Sequence, residues 1–123
     1  MTQGCTGLVE CVERGELHNE NTIALIQQYC APLLTEGADT IVLGCTHYPF
    51  VKAAIREVVG EHVTLIDTGA AVAQQLKRQL AEGQLITTKT RPAEVTFWTN
   101  SEAENAEKIM GALWGESVTV GRI

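Results

Sequence analysis

Between Thr40 and Ile66 the hydrophobic period of the chain changes twice. Thr40–Ile41–Val42–Leu43 is a short, β-branched, nearly wholly apolar run. Val51, Ala54, Ile55, Val58 and Val59 then recur at helical spacing, and His62 to Ile66 returns to strand composition. The first run suits a strand covered on both faces by helices. Few folds accommodate that order.

The same alternation continues on both sides. Ile23, Ile26, Cys30, Leu33 and Leu34 mark one apolar face of a helix over residues 21–36, with Asn19 or Asn21 to cap it and Gly37 to end it. Pro32 conflicts with that helix and predicts a kink or an early break. Asp67–Thr68–Gly69 reads as a turn that caps a third helix carrying Val72, Leu76 and Leu80, in preference to an anion site. Residues 83–93 read as a loop and Glu94 to Trp98 as a strand. Ser101 to Trp114 reads as a helix with Ala106, Ile109, Met110 and Leu113 inward, and Ser117 to Val120 as a last strand. Strands alternating with helices predict an α/β fold, a mostly parallel sheet flanked by helices. In such sheets ligands bind outside the carboxyl ends of the strands.

Composition narrows the function classes. Hydrophobic residues make up 45 % of the 123, enough for one core. With 9 Lys+Arg against 15 Asp+Glu, the net charge of −6 argues against a nucleic-acid partner. No apolar run is long enough for a membrane span, and no secretory signal pattern opens the chain. Cys5, Cys11, Cys30 and Cys45 therefore read as reduced thiols of a cytoplasmic protein. His18 and His62 read as surface residues without partners, Trp98 and Trp114 as core or interface.

Gly44–Cys45–Thr46–His47 falls where the first strand should end and a helix begin. Three readings of Cys45 compete. It can be an apolar filler of a packed corner. It can ligate zinc, although a single C-x-H without a second ligand pair gives zinc no support. It can be a reactive thiol, with helix N–H groups and the helix dipole favouring the thiolate, Thr46 as a donor, and His47 to take or stabilise the proton. Together these features describe a carboxylate pocket that contains a thiolate. They leave open whether it attacks a carbonyl or removes a proton.

The run LGCTHYPF (Leu43–Phe50) closely resembles the second cysteine motif of bacterial glutamate racemases, in the aspartate/glutamate racemase superfamily. GLVECVERGEL (Gly7–Leu17), APLLTEGADT (Ala31–Thr40) and LIDTGAAVAQQL (Leu65–Leu76) resemble that family in the same order. The resemblance implies cofactor-independent, metal-free racemisation of L- and D-glutamate, supplying D-glutamate for peptidoglycan. Two thiols on opposite faces of the α-carbon would exchange the proton. Cys45 matches one of them, Thr46 and His47 match substrate-contacting residues, and His47 also assists the thiol. Glu13 matches an acidic residue near the substrate ammonium or the histidine.

The A-C-N-T-like run that carries the other thiol in this family has no counterpart here. The chain reads as the C-terminal half of a partial two-domain racemase fold, with the motif-bearing part over residues 1–66 and a returning segment over 67–123. Cys30 and Cys11 read as packing, and Cys5, in a loop before a helix, is the least implausible substitute thiol. The expected partners are glutamate and either the absent first half or a second copy. Two other classes compete: a non-catalytic half-site protein that binds a partner chain, and a thiol hydrolase using Cys45 and His47.

Overall fold

The computed structural model describes residues 1–89 and 91–123. Its elements run α1 (Leu8–Glu13), α2 (Glu20–Thr35), β1 (Thr40–Val42), a 3-10 turn (Tyr48–Val51), α3 (Lys52–Val59), β2 (Thr64–Ile66), α4 (Gly69–Glu82), β3 (Phe97–Thr99), α5 (Ala103–Trp114) and β4 (Val120–Arg122). The expected α/β class holds, and every strand pairing is parallel. The strands form two separate pairs rather than one sheet. β1 pairs with β2 in the register Thr40↔Thr64, and β3 with β4 in the register Phe97↔Val120. Each pair encloses a helix, α3 or α5, because parallel neighbours need a crossover connection.

Local chemistry sets the ends of α2. Asn19, not Asn21, is the cap, its side chain accepting the Thr22 N–H at 2.8 Å. At the other end Gly37 takes φ 81°, while its N–H bonds to Leu34 O and that of Ala38 to Leu33 O, both at 3.0 Å. This is the paired closure that a left-handed glycine permits. The break anticipated at Pro32 does not occur, and the helix continues to Thr35. Pro32 forgoes only its own N–H bond to the preceding turn, and the turn beyond it is closed by the Glu36 N–H on Pro32 O at 3.1 Å.

The core joins Leu8 and Val12 of α1, Ile26 and Cys30 of α2, Leu43, Val51, Ala54, Ile55 and Val59 around α3, and Val63. Thr22 is fully buried with its hydroxyl donating to Glu16 O at 2.6 Å, so its polar group is satisfied. The β1–β2 pair is covered on one face only: Ile41 and Leu65 are half-buried, whereas Val42 and Ile66 are exposed. This corrects the expectation of a strand enclosed on both sides. No described element packs on that outer face.

The C-terminal elements differ from expectation in register. β3 begins at Phe97, later than Glu94, and β4 at Val120, later than Ser117. Gly115, at φ 86°, ends α5, and the chain uses the residues after it to return before Val120 can pair. Val120 is buried, and its N–H bonds to the Glu107 carboxylate at 3.0 Å. Helix α4 forms as expected, but Val72 and Leu76 are exposed and only Leu80 is half-buried. Trp98 and Trp114 are exposed rather than core, with Phe97 set edge-on to Trp114 at a centroid distance of 5.4 Å. The described part of the expected 83–93 loop has no regular structure; Thr90 lies outside the described residues.

Candidate active site

The chain leaves the first sheet just after Leu43, whose N–H still bonds to Ile66 O at 2.8 Å. Gly44 to His47 therefore lie at the carboxyl end of β1–β2, where α/β sheets present their ligand sites. A 3-10 turn follows, closed by Tyr48 N–H to Cys45 O at 3.3 Å and Phe50 N–H to His47 O at 3.1 Å, with Pro49 in its first turn. The N–H groups of Gly44, Cys45, Thr46 and His47 make no backbone hydrogen bond among the described residues. They remain free to donate to an anion.

Side chains converge on His47 from three directions. Its Nδ1 lies 3.8 Å from Cys45 Sγ and 3.5 Å from Thr46 Oγ1. Its Nε2 lies 3.5 Å from Glu13 Oε1. Glu13 is the last residue of α1, which packs against the 3-10 turn and buries Leu8, Cys11 and Val12. With a proton on Nε2 facing Glu13, Nδ1 is left as a lone pair facing the thiol. All four residues singled out from the sequence are thus brought together: Cys45 and His47 half-buried, Thr46 and Glu13 exposed.

Behind Cys45 a cavity of about 560 Å³ runs between β1 and α2 and is lined in part by Cys5, Tyr29, Cys30, Cys45 and Tyr48. Burial above all pushes the Tyr48 hydroxyl up to about 12, so it keeps its proton at neutral pH and can donate. Burial also pushes the Cys30 thiol up, which leaves it a poor nucleophile and a packing residue. Cys11 is fully buried away from the cavity, its sulfur accepting from Asn21 Nδ2 at 3.5 Å and Arg14 at 3.6 Å. Among the described residues, no three His, Cys, Asp or Glu side chains group to hold a metal ion, and no helix is long and apolar enough to cross a membrane.

The cap that Asp67 gives the following helix was expected from the sequence, but two side-chain pairs, Lys52–Asp67 and His18–Glu57, were not. Lys52, the first residue of α3, donates to Asp67 Oδ2 at 2.5 Å, and Asp67 Oδ1 accepts the Gly69 N–H at 3.2 Å. The ammonium of Lys52 is the main reason that the Asp67 carboxyl is held below its usual range. Asp67 therefore caps α4 and ties it to the helix behind the Cys45 loop. The usable signal was that both residues follow strand ends at one edge. His18, expected to lack a partner, places Nε2 2.9 Å from Glu57 Oε2 of α3. Such a contact across elements leaves no trace in local sequence.

Comparison with known proteins points the same way. A family profile described as Asp/Glu/Hydantoin racemase matches residues 2–76. A curated glutamate racemase of Pseudomonas paraeruginosa is 45 % identical over 122 residues, a match covering 99 % of this chain and 46 % of that protein. The chain thus spans about half the length of the curated relatives it matches. A solved glutamate racemase from Bacillus anthracis superposes with a TM-score of 0.81 at 27 % identity, covering 98 % of this chain and 45 % of its own. The glutamate racemase of Escherichia coli, solved with L-glutamate and an activator, UDP-MurNAc-Ala, gives a TM-score of 0.69 at 25 % identity over 98 % of this chain and 45 % of its own.

Proposed function

The chain belongs to the Asp/Glu/hydantoin racemase family, and from that membership we propose that it contributes one side of a glutamate racemase active site. The reaction would interconvert L- and D-glutamate without a cofactor, in the cytoplasm, and supply D-glutamate for peptidoglycan. The observation that carries this reading is the line of contacts Cys45–His47–Glu13 at the carboxyl end of β1–β2.

The chemistry requires that line. An α-proton beside a carboxylate is very weakly acidic, so its base must be strong yet ionised near neutral pH. A thiolate beside a histidine and free backbone donors meets both needs better than a carboxylate does. In this reading Cys45 exchanges the α-proton on one face of the substrate. His47, oriented by Glu13, takes and returns the thiol proton. Thr46 and the N–H groups of the Gly44–His47 segment would receive a substrate carboxylate, and Glu13, beside His47, is the group we assign to the ammonium. Inversion needs a second acid on the opposite face. We assign it to the remaining part of the racemase fold, seated on the exposed Val42, Ile66, Val72 and Leu76. Residues 1–66 would then carry the site and 67–123 return toward that other part.

A deuterium experiment tests this directly. The chain is incubated with L-glutamate in heavy water, alone and together with the first half of a related racemase, and α-deuterium and optical rotation are followed. The expected result is no inversion by the chain alone and inversion with deuterium incorporation once the halves are combined, abolished by Cys45→Ala. Inversion that survives Cys45→Ala would overturn the assignment. Inversion by the chain alone would place the second acid within it, and Cys5, on the same cavity, would be the first candidate.

A further inference from the structure

We propose that Thr22, helped by its neighbour Asn21, is a positioning residue: from α2 it grips the end of α1 and so holds Glu13 against His47. The inference rests on the reading of Cys45, His47 and Glu13 as one acid/base line.

Thr22 is the one polar side chain that is buried among the described residues. Valine has nearly its shape and would bring no polar group into the core, so the hydroxyl is there for the bond it makes. It donates to Glu16 O at 2.6 Å, across the turn between α1 and α2. Thr22 itself is fixed. Its N–H bonds to the capping Asn19 side chain at 2.8 Å, and α2 runs on from there into the core, burying Ile26 and Cys30.

What Thr22 grips is the closure of α1. Gly15, at φ 72°, turns the chain there, its N–H bonding to Val12 O and that of Glu16 to Cys11 O, both at 2.9 Å. The Glu16 carbonyl held by Thr22 therefore belongs to the unit that ends the helix. Asn21 adds a second grip, its Nδ2 donating to the buried Cys11 Sγ at 3.5 Å. The two contacts fall on either side of Glu13, which has no comparable anchor. Its side chain is exposed, and its one polar partner among the described residues is His47 Nε2 at 3.5 Å, too long a contact to hold the carboxylate by itself. A helix of six residues does not set its own direction, so what grips its end decides where Glu13 points. Supporting contacts of this kind keep a site's geometry without touching the reacting atoms.

The test reads the Cys45 thiol itself, so it stands whether or not the chain racemises glutamate. Iodoacetamide alkylation of Cys45 in the full 123-residue chain is timed by peptide mass spectrometry. The variants compared are Thr22→Val, Thr22→Ser, Asn21→Ala, Glu13→Gln and the Thr22→Val/Glu13→Gln double variant. Thr22→Val is expected to slow Cys45 about two- to fivefold, as far as Glu13→Gln does. The double variant should react at the rate of Glu13→Gln alone, because Thr22 acts through Glu13. Thr22→Ser loses a methyl group but keeps the hydroxyl and should restore most of the rate, a rescue that lost packing would not give. An unchanged rate in Thr22→Val beside a slowed Glu13→Gln would overturn this proposal alone. Multiplied effects in the double variant, or Thr22→Ser as slow as Thr22→Val, would do the same. An unchanged rate in Glu13→Gln would overturn the proposal and the acid/base line together. Should Thr22→Val fail to fold by circular dichroism, Asn21→Ala at its exposed position decides: it should slow Cys45 about twofold, and a rate equal to that of the parent chain would overturn the proposal.

Discussion

Glu13 and His47, the one at the end of α1 and the other opening the 3-10 turn, meet at 3.5 Å and orient the imidazole toward Cys45. The contact joins two stretches that a reader of the sequence meets far apart. Glu13 is largely exposed, so its ion pair is screened and its effect modest, on the order of 0.2–1 kcal/mol. Glu13→Gln should therefore slow alkylation of Cys45 by no more than about fivefold. His47→Ala removes the proton acceptor itself and should slow it more. Equal rates in His47→Ala and the parent chain would remove His47 from the site.

The Lys52–Asp67 pair gives a pH dependence whose sign is fixed. The folded-state value of Asp67 lies below its ordinary one of 3.8, chiefly because of Lys52 and then the Gly69 N–H. Its contribution to stability is thus fully present above the ordinary carboxylate range and is lost as pH falls through the lower folded value. Acid titration followed by circular dichroism should find Asp67→Asn less stable than the parent at pH 7. The two should converge under strongly acidic conditions. Hydrogen exchange in the first turn of α4 should rise in the variant, since that helix packs on little else.

Gly121 lies under the indole of Trp98 across the β3–β4 ladder. A Cβ there would meet the ring at 2.6 Å, closer than real carbon atoms approach. Gly121→Ala should displace the Trp98 ring, changing near-UV dichroism and fluorescence, and cost about 1–3 kcal/mol if the strand must yield with it. An unaltered tryptophan signal would count against the packing of this pair.

Ile26 is 1 % exposed, at the contact of α2 with α1 and α3. Ile26→Ala should cost about 2–5 kcal/mol, read as a lower denaturant midpoint. Leu76→Ala, on the exposed face of α4, should leave the midpoint of the isolated chain almost unchanged. The same change should weaken association with the remaining half of the racemase fold, measured by titration calorimetry. An equal loss of stability from both substitutions would contradict the packing described.

The sequence by itself determined the local elements and the cluster of reactive types. Asn19 and Gly37 bound α2 because capping is a chemistry of neighbouring residues, and β-branched runs set among helical stripes forced parallel strands. Cys45, Thr46 and His47 were legible because they are adjacent, and Glu13 through the resemblance of its surrounding segment. Tertiary structure alone decided the rest. Strand registers moved by a few residues because pairing begins only where the partner strand arrives, as Val120 does opposite Phe97. Val42, Ile66 and Val72 look like core residues in one dimension, yet they are exposed because burial depends on what packs against a face and not on the face alone. The Lys52–Asp67 and His18–Glu57 contacts were invisible for the same reason: each joins elements whose proximity is created only when the chain folds.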